Sequence, residues 1–188
     1  MTGGEKTVEE KDFEFDENSG DEEEKDEGVP FDEGIPDFGE PPDRSEGERD
    51  LDEKEVSVVG VFEHLEPGAS QPAAFVLLRD NAARCVPIWI GRAEAFAISI
   101  ALEGATADRP LTHDLMKNIL TRLGGSVERV IIDDLWHDTY YAKIYVAVDG
   151  QTIEIDSRPS DAIALGLRAK APIFMAEAVL SQAAVYEE

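Results

Sequence analysis

Acidic residues are distributed very unevenly along this chain of 188 residues, and that division constrains its fold more than any other feature. Residues 1–55 contain 24 Asp and Glu against 6 Lys and Arg, a net of 18 negative charges. This segment is also rich in Gly and Pro and has no periodic apolar stripe, so it cannot bury enough surface to offset the entropy of ordering. We therefore expect a disordered acidic tail over 1–55 and a folded domain over 56–188.

The folded part is predicted to be a single α+β domain. Val, Ile, Leu and Ala dominate its sequence, and about 130 residues suffice for a substantial core. Its strand patterns mostly come as hairpins, such as the one that Asp149-Gly150 indicates, and do not alternate with helices. The expected architecture is a mixed, mostly antiparallel sheet with three to four helices.

One predicted helix follows Arg109-Pro110, with Thr112 as its N-cap. Apolar residues recur at a spacing of four along it, which predicts that one face is buried in the core. The residues of that face are Leu115, Ile119 and Leu123. On the preceding helix, Glu94 and Glu103 are expected to face solvent.

The sequence also indicates in which cellular compartment the protein is expected. Cys85 is the only cysteine, which excludes an intrachain disulfide and favours a reducing interior. No segment reaches the roughly 18 to 20 apolar residues that cross a bilayer, and no signal pattern opens the chain, so a cytoplasmic protein without membrane contact is expected.

The acidity has two explanations, which are compatible. Arg outnumbers Lys by eight to three over 56–188, and a carboxylate-rich surface suits a halophilic protein. Alternatively, the tail binds a partner or the domain itself, because Phe13, Phe15, Phe31 and Phe38 punctuate its acidic sequence as anchors would.

Charge is concentrated in one apolar stretch, DSRPSDAIALGLR at 156–168. A structural explanation is that Arg158 pairs with Asp156 or Asp161 and holds the turn before a helix. A functional explanation is that Arg158, Ser160 and the helix N-terminus bind phosphate, with Arg109 contributing from the similar Arg-Pro turn at 109–110. The spacing leaves both open.

On the functional explanation, three further side chains are candidates for catalysis. Asp156 and Asp161 offer the hard oxygen ligands that Mg²⁺ or Mn²⁺ prefers, and His113 suits proton transfer near neutral pH. A divalent ion held there could bridge to a phosphate and lower the pKa of its bound water, although the spacing alone does not establish such a site.

Three motifs, PIWIG at 87–91, RPLTHDL at 109–115 and IDSRPSDAIALGLR at 155–168, make the chain from about Val56 to Val185 resemble the bifunctional nuclease family. The resemblance implies an α+β homodimer with DNase and RNase activity, hence a nucleic-acid substrate, and a site at Arg109, His113, Asp156, Arg158 and Asp161. The alternative is a non-catalytic dimeric binding or regulatory module that recognises a phosphate-bearing ligand or a protein partner. An acidic chain attracts nucleic acid poorly, which favours that alternative.

Overall fold

The structure is a computed structural model that describes residues 52–65, 67–105 and 107–186. Its helices are α1 (Arg92–Leu102), α2 (Thr112–Arg122), α3 (Pro159–Ala169) and α4 (Glu177–Ala183). Its strands are β1 (Glu53–His64), β2 (Ala73–Asp80), β3 (Arg84–Ile90), β4 (Ser126–Trp136), β5 (Thr139–Val148), β6 (Gln151–Ser157), β7 (Ile173–Ala176) and β8 (Val185–Tyr186). The predicted α+β class is confirmed.

All eight strands join one mixed sheet in the order β6-β5-β4-β7-β1-β2-β3-β8. Four pairs of consecutive strands, β1–β2, β2–β3, β4–β5 and β5–β6, form antiparallel hairpins, whereas β7 pairs in parallel with β4. That parallel pair arises because α3 carries the chain from the edge strand β6 back to the middle of the sheet. The mostly antiparallel sheet is as predicted.

The turn between β5 and β6 is the hairpin that the sequence indicates. Asp149 and Gly150 have φ angles of 50° and 78°. A type I′ turn requires a positive φ at both central residues, and Asp followed by Gly tolerates this well.

The start of α3 is fixed by close packing between α3 and β4. Ala162, Ile163 and Val130 are fully buried in the core between them. A Cβ atom added to Gly166 would lie 3.2 Å from Cγ2 of Val130, so glycine permits this close approach of helix and sheet. The core thereby holds the first turn of α3 in a defined position at the domain surface.

Two local predictions differ from the structure. Strand β1 begins at Glu53, inside the segment predicted as tail, because residues 53–56 pair with β7, which lies far along the sequence. Leu111, not Thr112, is the N-cap of α2, and its N–H donates to Asp114 Oδ2 at 3.0 Å. Residues 1–51 of the predicted tail lie outside the described residues.

The predicted buried face of α2 was wrong. Its three residues, Leu115, Ile119 and Leu123, are each half or more exposed. The polar side of the helix faces α3 instead: His113 contacts Asp161, and Lys117 Nζ donates to the Arg168 carbonyl oxygen at 2.8 Å. Helical periodicity separated an apolar face of α2 from a polar one, but it did not show that α3 covers the polar face.

In the described ranges, no helix combines the length and apolar character required to cross a membrane.

Candidate active site

An open cleft of about 470 Å³ lies where α1 and α3 begin. Its other walls are the end of β3 and the turn between β4 and β5, so four separate parts of the chain meet there. The lining residues are Ile88, Trp89, Ile90, Gly91, Glu94, Asp138, Thr139, Tyr140, Arg158, Pro159 and Ser160.

The Arg-Pro turn places the first turn of α3 in this cleft. Arg158 is the N-cap with extended backbone, and Pro159 is the first helical residue, where a missing N–H costs nothing. Ser160 is buried and lines the cleft. Its N–H is among the first-turn groups that have no partner within a helix, so the positive end of α3 faces the cleft.

Arg158 reaches across the cleft between two carboxylates. Its Nε donates to Asp161 Oδ2 at 2.9 Å, and its Nη1 donates to Glu94 Oε1 at 3.3 Å. The hydrogen bond and charge of Asp161, and then those of Glu94, raise the pKa of Arg158 above its ordinary value. The side chain is nevertheless 68% exposed, so a permanently charged guanidinium is accessible to a ligand.

Asp161 connects Arg158 to a buried histidine on α2. His113 Nε2 lies 3.0 Å from Asp161 Oδ1, while the other oxygen of Asp161 accepts from Arg158. His113 is 7% exposed and does not line the cleft. The structure thus brings together four predicted residues, His113, Arg158, Ser160 and Asp161, with His113 behind the carboxylate.

The structure does not bring Arg109 and Asp156 to this cleft. Arg109 lies in the exposed segment before α2, and neither residue lines the cleft. Asp156 lies on the edge strand β6, opposite Lys143 of β5 in the strand register. Spacing along the chain predicted that Asp156 and Asp161 act together, and in the structure β6 ends and α3 begins between them.

A shared metal site at Asp156 and Asp161 stays a prediction. Both oxygens of Asp161 are already engaged by His113 and Arg158, and Asp156 lies outside the cleft. Among the residues that the structure describes, no group of three or more His, Cys, Asp or Glu side chains is arranged to hold an ion.

Glu94 is a cleft residue that the sequence-based reasoning assigned to solvent. It lines the cleft and pairs with Arg158. A Cβ atom at Gly91 would collide with the Glu94 carboxylate, so the glycine of PIWIG leaves room for that side chain. The PIWIG motif was the sequence signal that could have identified Glu94. Gly91, its last residue, is the N-cap of α1, and Glu94 lies in the first turn of that helix.

Tyr140, from the start of β5, is a second cleft residue that the sequence did not reveal. Burial, and secondarily the negative charge of Asp138, raises the pKa of Tyr140 above its ordinary value. The phenol therefore stays neutral at physiological pH and can donate a hydrogen bond into the cleft. No periodic or charge signal in the sequence connects the β4–β5 turn to α3.

A family model described as the bifunctional nuclease domain matches residues 76–188, which include every residue that lines the cleft. The chain belongs to the bifunctional nuclease family. An uncharacterized protein of Mycobacterium tuberculosis is 43% identical over 130 residues, which are 69% of this chain and 75% of that protein.

Plant members of the bifunctional nuclease family are more distant. Bifunctional nuclease 1 of Oryza sativa subsp. japonica is 31% identical over 58% of this chain, and bifunctional nuclease 1 of Arabidopsis thaliana is 26% identical over 58%. The matches cover 34% and 35% of these plant proteins, so the chain spans about a third of their length.

Proposed function

We propose that this protein hydrolyses phosphodiester bonds of RNA, DNA or both in the cleft at the start of α3. The supporting observation is that two of its three motifs line the cleft and the third contacts Asp161 behind it. PIWIG supplies Trp89 and Gly91, the 155–168 motif supplies Arg158 and Ser160, and RPLTHDL supplies His113 behind Asp161. Membership of the bifunctional nuclease family agrees with this chemistry.

In this proposal Arg158 and Ser160 bind the scissile phosphate. Asp161 and Glu94 use Nε and Nη1 of Arg158, so Nη2 remains to donate to a phosphate oxygen. The N–H of Ser160 and the positive end of α3 add donors in the same cleft. Donors fixed in advance in this way stabilise the charge that develops on phosphate in the transition state.

We assign proton transfer to Glu94, with His113 as a positioning residue. Glu94 lines the cleft and contacts Arg158, which places its carboxylate beside the bound phosphate. There it accepts a proton from the water that attacks phosphorus, the P–O bond to the leaving oxygen breaks, and that oxygen takes a proton from solvent in the open cleft. His113, the group predicted from sequence, is buried behind Asp161. Its hydrogen bond fixes the carboxylate that orients Arg158.

The test is a cleavage assay of the purified chain on RNA and on DNA. We expect turnover by the wild type and a loss of about a hundredfold in Glu94→Gln, which keeps the shape but cannot accept the proton. Glu103→Gln, at the other end of α1, is the matched control and should retain full activity. Full activity of Glu94→Gln would contradict the assignment.

Assistance by Mg²⁺ or Mn²⁺ remains a prediction, and the same assay with each ion and with a chelator tests it. Cleavage that persists in the chelator would exclude a required ion. Tight binding of nucleic acid without turnover under every condition would instead support the alternative, a non-catalytic dimeric binding or regulatory module.

We also propose that the protein is a homodimer whose two copies meet along the exposed stripe of α2, defined by Leu115, Ile119 and Leu123. A stripe of large apolar residues on one helix face is typical of a helix that packs against a partner. In solution, Ile119→Glu should halve the molar mass measured by light scattering, whereas Phe96→Glu, at an exposed residue of α1, should leave it unchanged. A monomeric wild type would contradict this arrangement.

A further inference from the structure

Three aromatic rings lie side by side across β1, β2 and β3. Phe62 is the register partner of Phe75, and Phe75 is the register partner of Trp89. The ring centroids are 5.6 Å apart in the first pair and 5.1 Å apart in the second, within the usual range for aromatic pairs. We call Phe62, Phe75 and Trp89 the aromatic row.

The aromatic row lies outside the hydrophobic core. Successive strand residues point to opposite faces of a sheet, and the sequence neighbours Val76 and Ile88 are buried in the core. Phe62 is 42% exposed and Trp89 is 55% exposed. A contiguous aromatic surface left in water is typical of a recognition site.

Trp89 connects the aromatic row to the candidate active site. It belongs to the row and also lines the cleft with Glu94 and Arg158. Beyond β8, which pairs with only Arg84 and Cys85, this part of β3 forms an edge of the sheet among the described residues. Trp89 is the residue that the row and the cleft share, so a strand bound at Arg158 would contact Trp89 before Phe75 and Phe62.

We infer that the aromatic row stacks the bases of a single-stranded nucleic acid whose phosphodiester lies in the cleft. The inference rests on the proposed nuclease function and adds the substrate class, an unpaired strand. Aromatic side chains stack on the faces of unpaired bases, whereas a duplex hides those faces between base pairs. Unpaired RNA and unpaired DNA share this chemistry.

The charge of the protein makes stacking the main source of affinity. A chain with a net charge of −25 gains little from general attraction to phosphates. One polar group borders the row: His64, whose ring centroid is 6.3 Å from that of Trp89. Because stacking releases no counterions, the affinity should depend only weakly on salt.

The test is the binding of fluorescently labelled RNA and DNA oligonucleotides, each as a single strand and as a duplex, measured by anisotropy with the full chain. We expect preference for single strands and about tenfold weaker binding in each of Trp89→Ala and Phe62→Ala. Trp89→Phe should bind almost normally, because it retains a ring. Phe96→Ala, which removes an equally exposed ring outside the row, is the matched control. Comparison of the RNA and DNA oligonucleotides shows which of the two single strands the protein prefers.

Unchanged affinity in Trp89→Ala and Phe62→Ala, or equal affinity for duplexes, would overturn the inference. A second contradicting result is that Trp89→Ala and Phe62→Ala change the molar mass in solution but not the affinity. The aromatic row would then be a contact between two copies of the protein. Cleavage is followed on the same samples. If the row variants lose affinity but the wild type does not cleave, only the proposed function is contradicted. If the wild type cleaves and the row variants bind and cleave normally, only this inference is contradicted.

Discussion

Two arginines in this domain are each held by two carboxylates, and they differ in what remains available to a ligand. Arg84 contacts Asp80 through Nε at 2.8 Å and Glu177 through both terminal nitrogens, at 2.6 and 2.9 Å. Its side chain is 17% exposed. We refer to Arg84, Asp80 and Glu177 as the Arg84 cluster, in which every guanidinium nitrogen is bonded.

Arg158, by contrast, makes one bond to each of its two carboxylates and is mostly exposed. A saturated, enclosed arginine fixes chain segments to one another, here the β2–β3 turn and the start of α4. An open arginine at the mouth of a cleft retains donors for a ligand. This difference in available donors gives two similar charge groups different expected roles: Arg84 stabilises the fold, and Arg158 binds a ligand.

The largest expected effect on stability is at the Arg84 cluster. Arg84→Ala would leave Asp80, whose side chain is 3% exposed, buried without its cation, and should lower the free energy of unfolding by about 2–3 kcal/mol. Urea unfolding followed by circular dichroism measures this change. Arg158→Ala is the matched control and should leave the unfolding midpoint unchanged; equal losses in both variants would invalidate the comparison.

Acid should weaken the Arg84 cluster in a defined pH range. The hydrogen bond from Arg84, followed by that from Ser181, lowers the pKa of Glu177 to about 2. For Asp80, burial alone would raise the pKa, but the hydrogen bonds from Arg84 and Ala82 outweigh burial and lower it. Since both groups have a lower pKa in the folded state, their stabilisation is complete above about pH 4.5 and is lost as the pH falls toward 2.

Urea unfolding at a series of pH values between neutral and acid, at constant salt, tests this linkage. The wild type should lose stability steadily below about pH 4.5, and Glu177→Gln should show a flatter profile because it has no carboxylate to protonate. Glu103→Gln should follow the wild-type profile. Parallel profiles for Glu177→Gln and the wild type would show that Glu177 does not contribute.

A smaller effect, on the cleavage rate, is expected when Arg158 is kept but loses the carboxylate that orients it. Asp161→Asn weakens the charge-assisted bond to Arg158 and disturbs the contact with His113, so the guanidinium should sample more orientations. We expect cleavage about tenfold slower, mainly through a higher KM. Asp108→Asn, in the exposed segment before α2, is the control, and an unaltered KM in Asp161→Asn would argue against a positioning role.

Much of the fold could be predicted from local sequence. The hairpin pattern of the strands indicated a mostly antiparallel sheet, Asp149-Gly150 indicated one of its hairpins, and Arg158-Pro159 indicated a helix start. The predictions failed where distant segments decide the outcome. The start of β1 depends on pairing with β7, and the exposed stripe of α2 depends on which side of that helix α3 covers.

The site was predictable only where its residues share a motif. Arg158, Ser160 and Asp161 follow one another at a helix start, so their proximity is local. Glu94 is 64 residues from Arg158 in the sequence, and no pattern in either helix reports their contact. The pairing of Asp156 with Asp161 stays a prediction: Asp156 lies at the end of β6, and Asp161 lies in the first turn of α3.

The most direct test of the account is cleavage of labelled single-stranded RNA and DNA by Arg158→Ala, measured as a single-turnover rate beside the wild type. Removal of one preorganised donor to a transition-state oxyanion typically costs about a hundredfold or more in rate. We predict a loss of that size in Arg158→Ala and full activity in Arg122→Ala, an exposed arginine on α2 outside the cleft. Cleavage by Arg158→Ala at the wild-type rate would contradict a phosphodiester site at the start of α3.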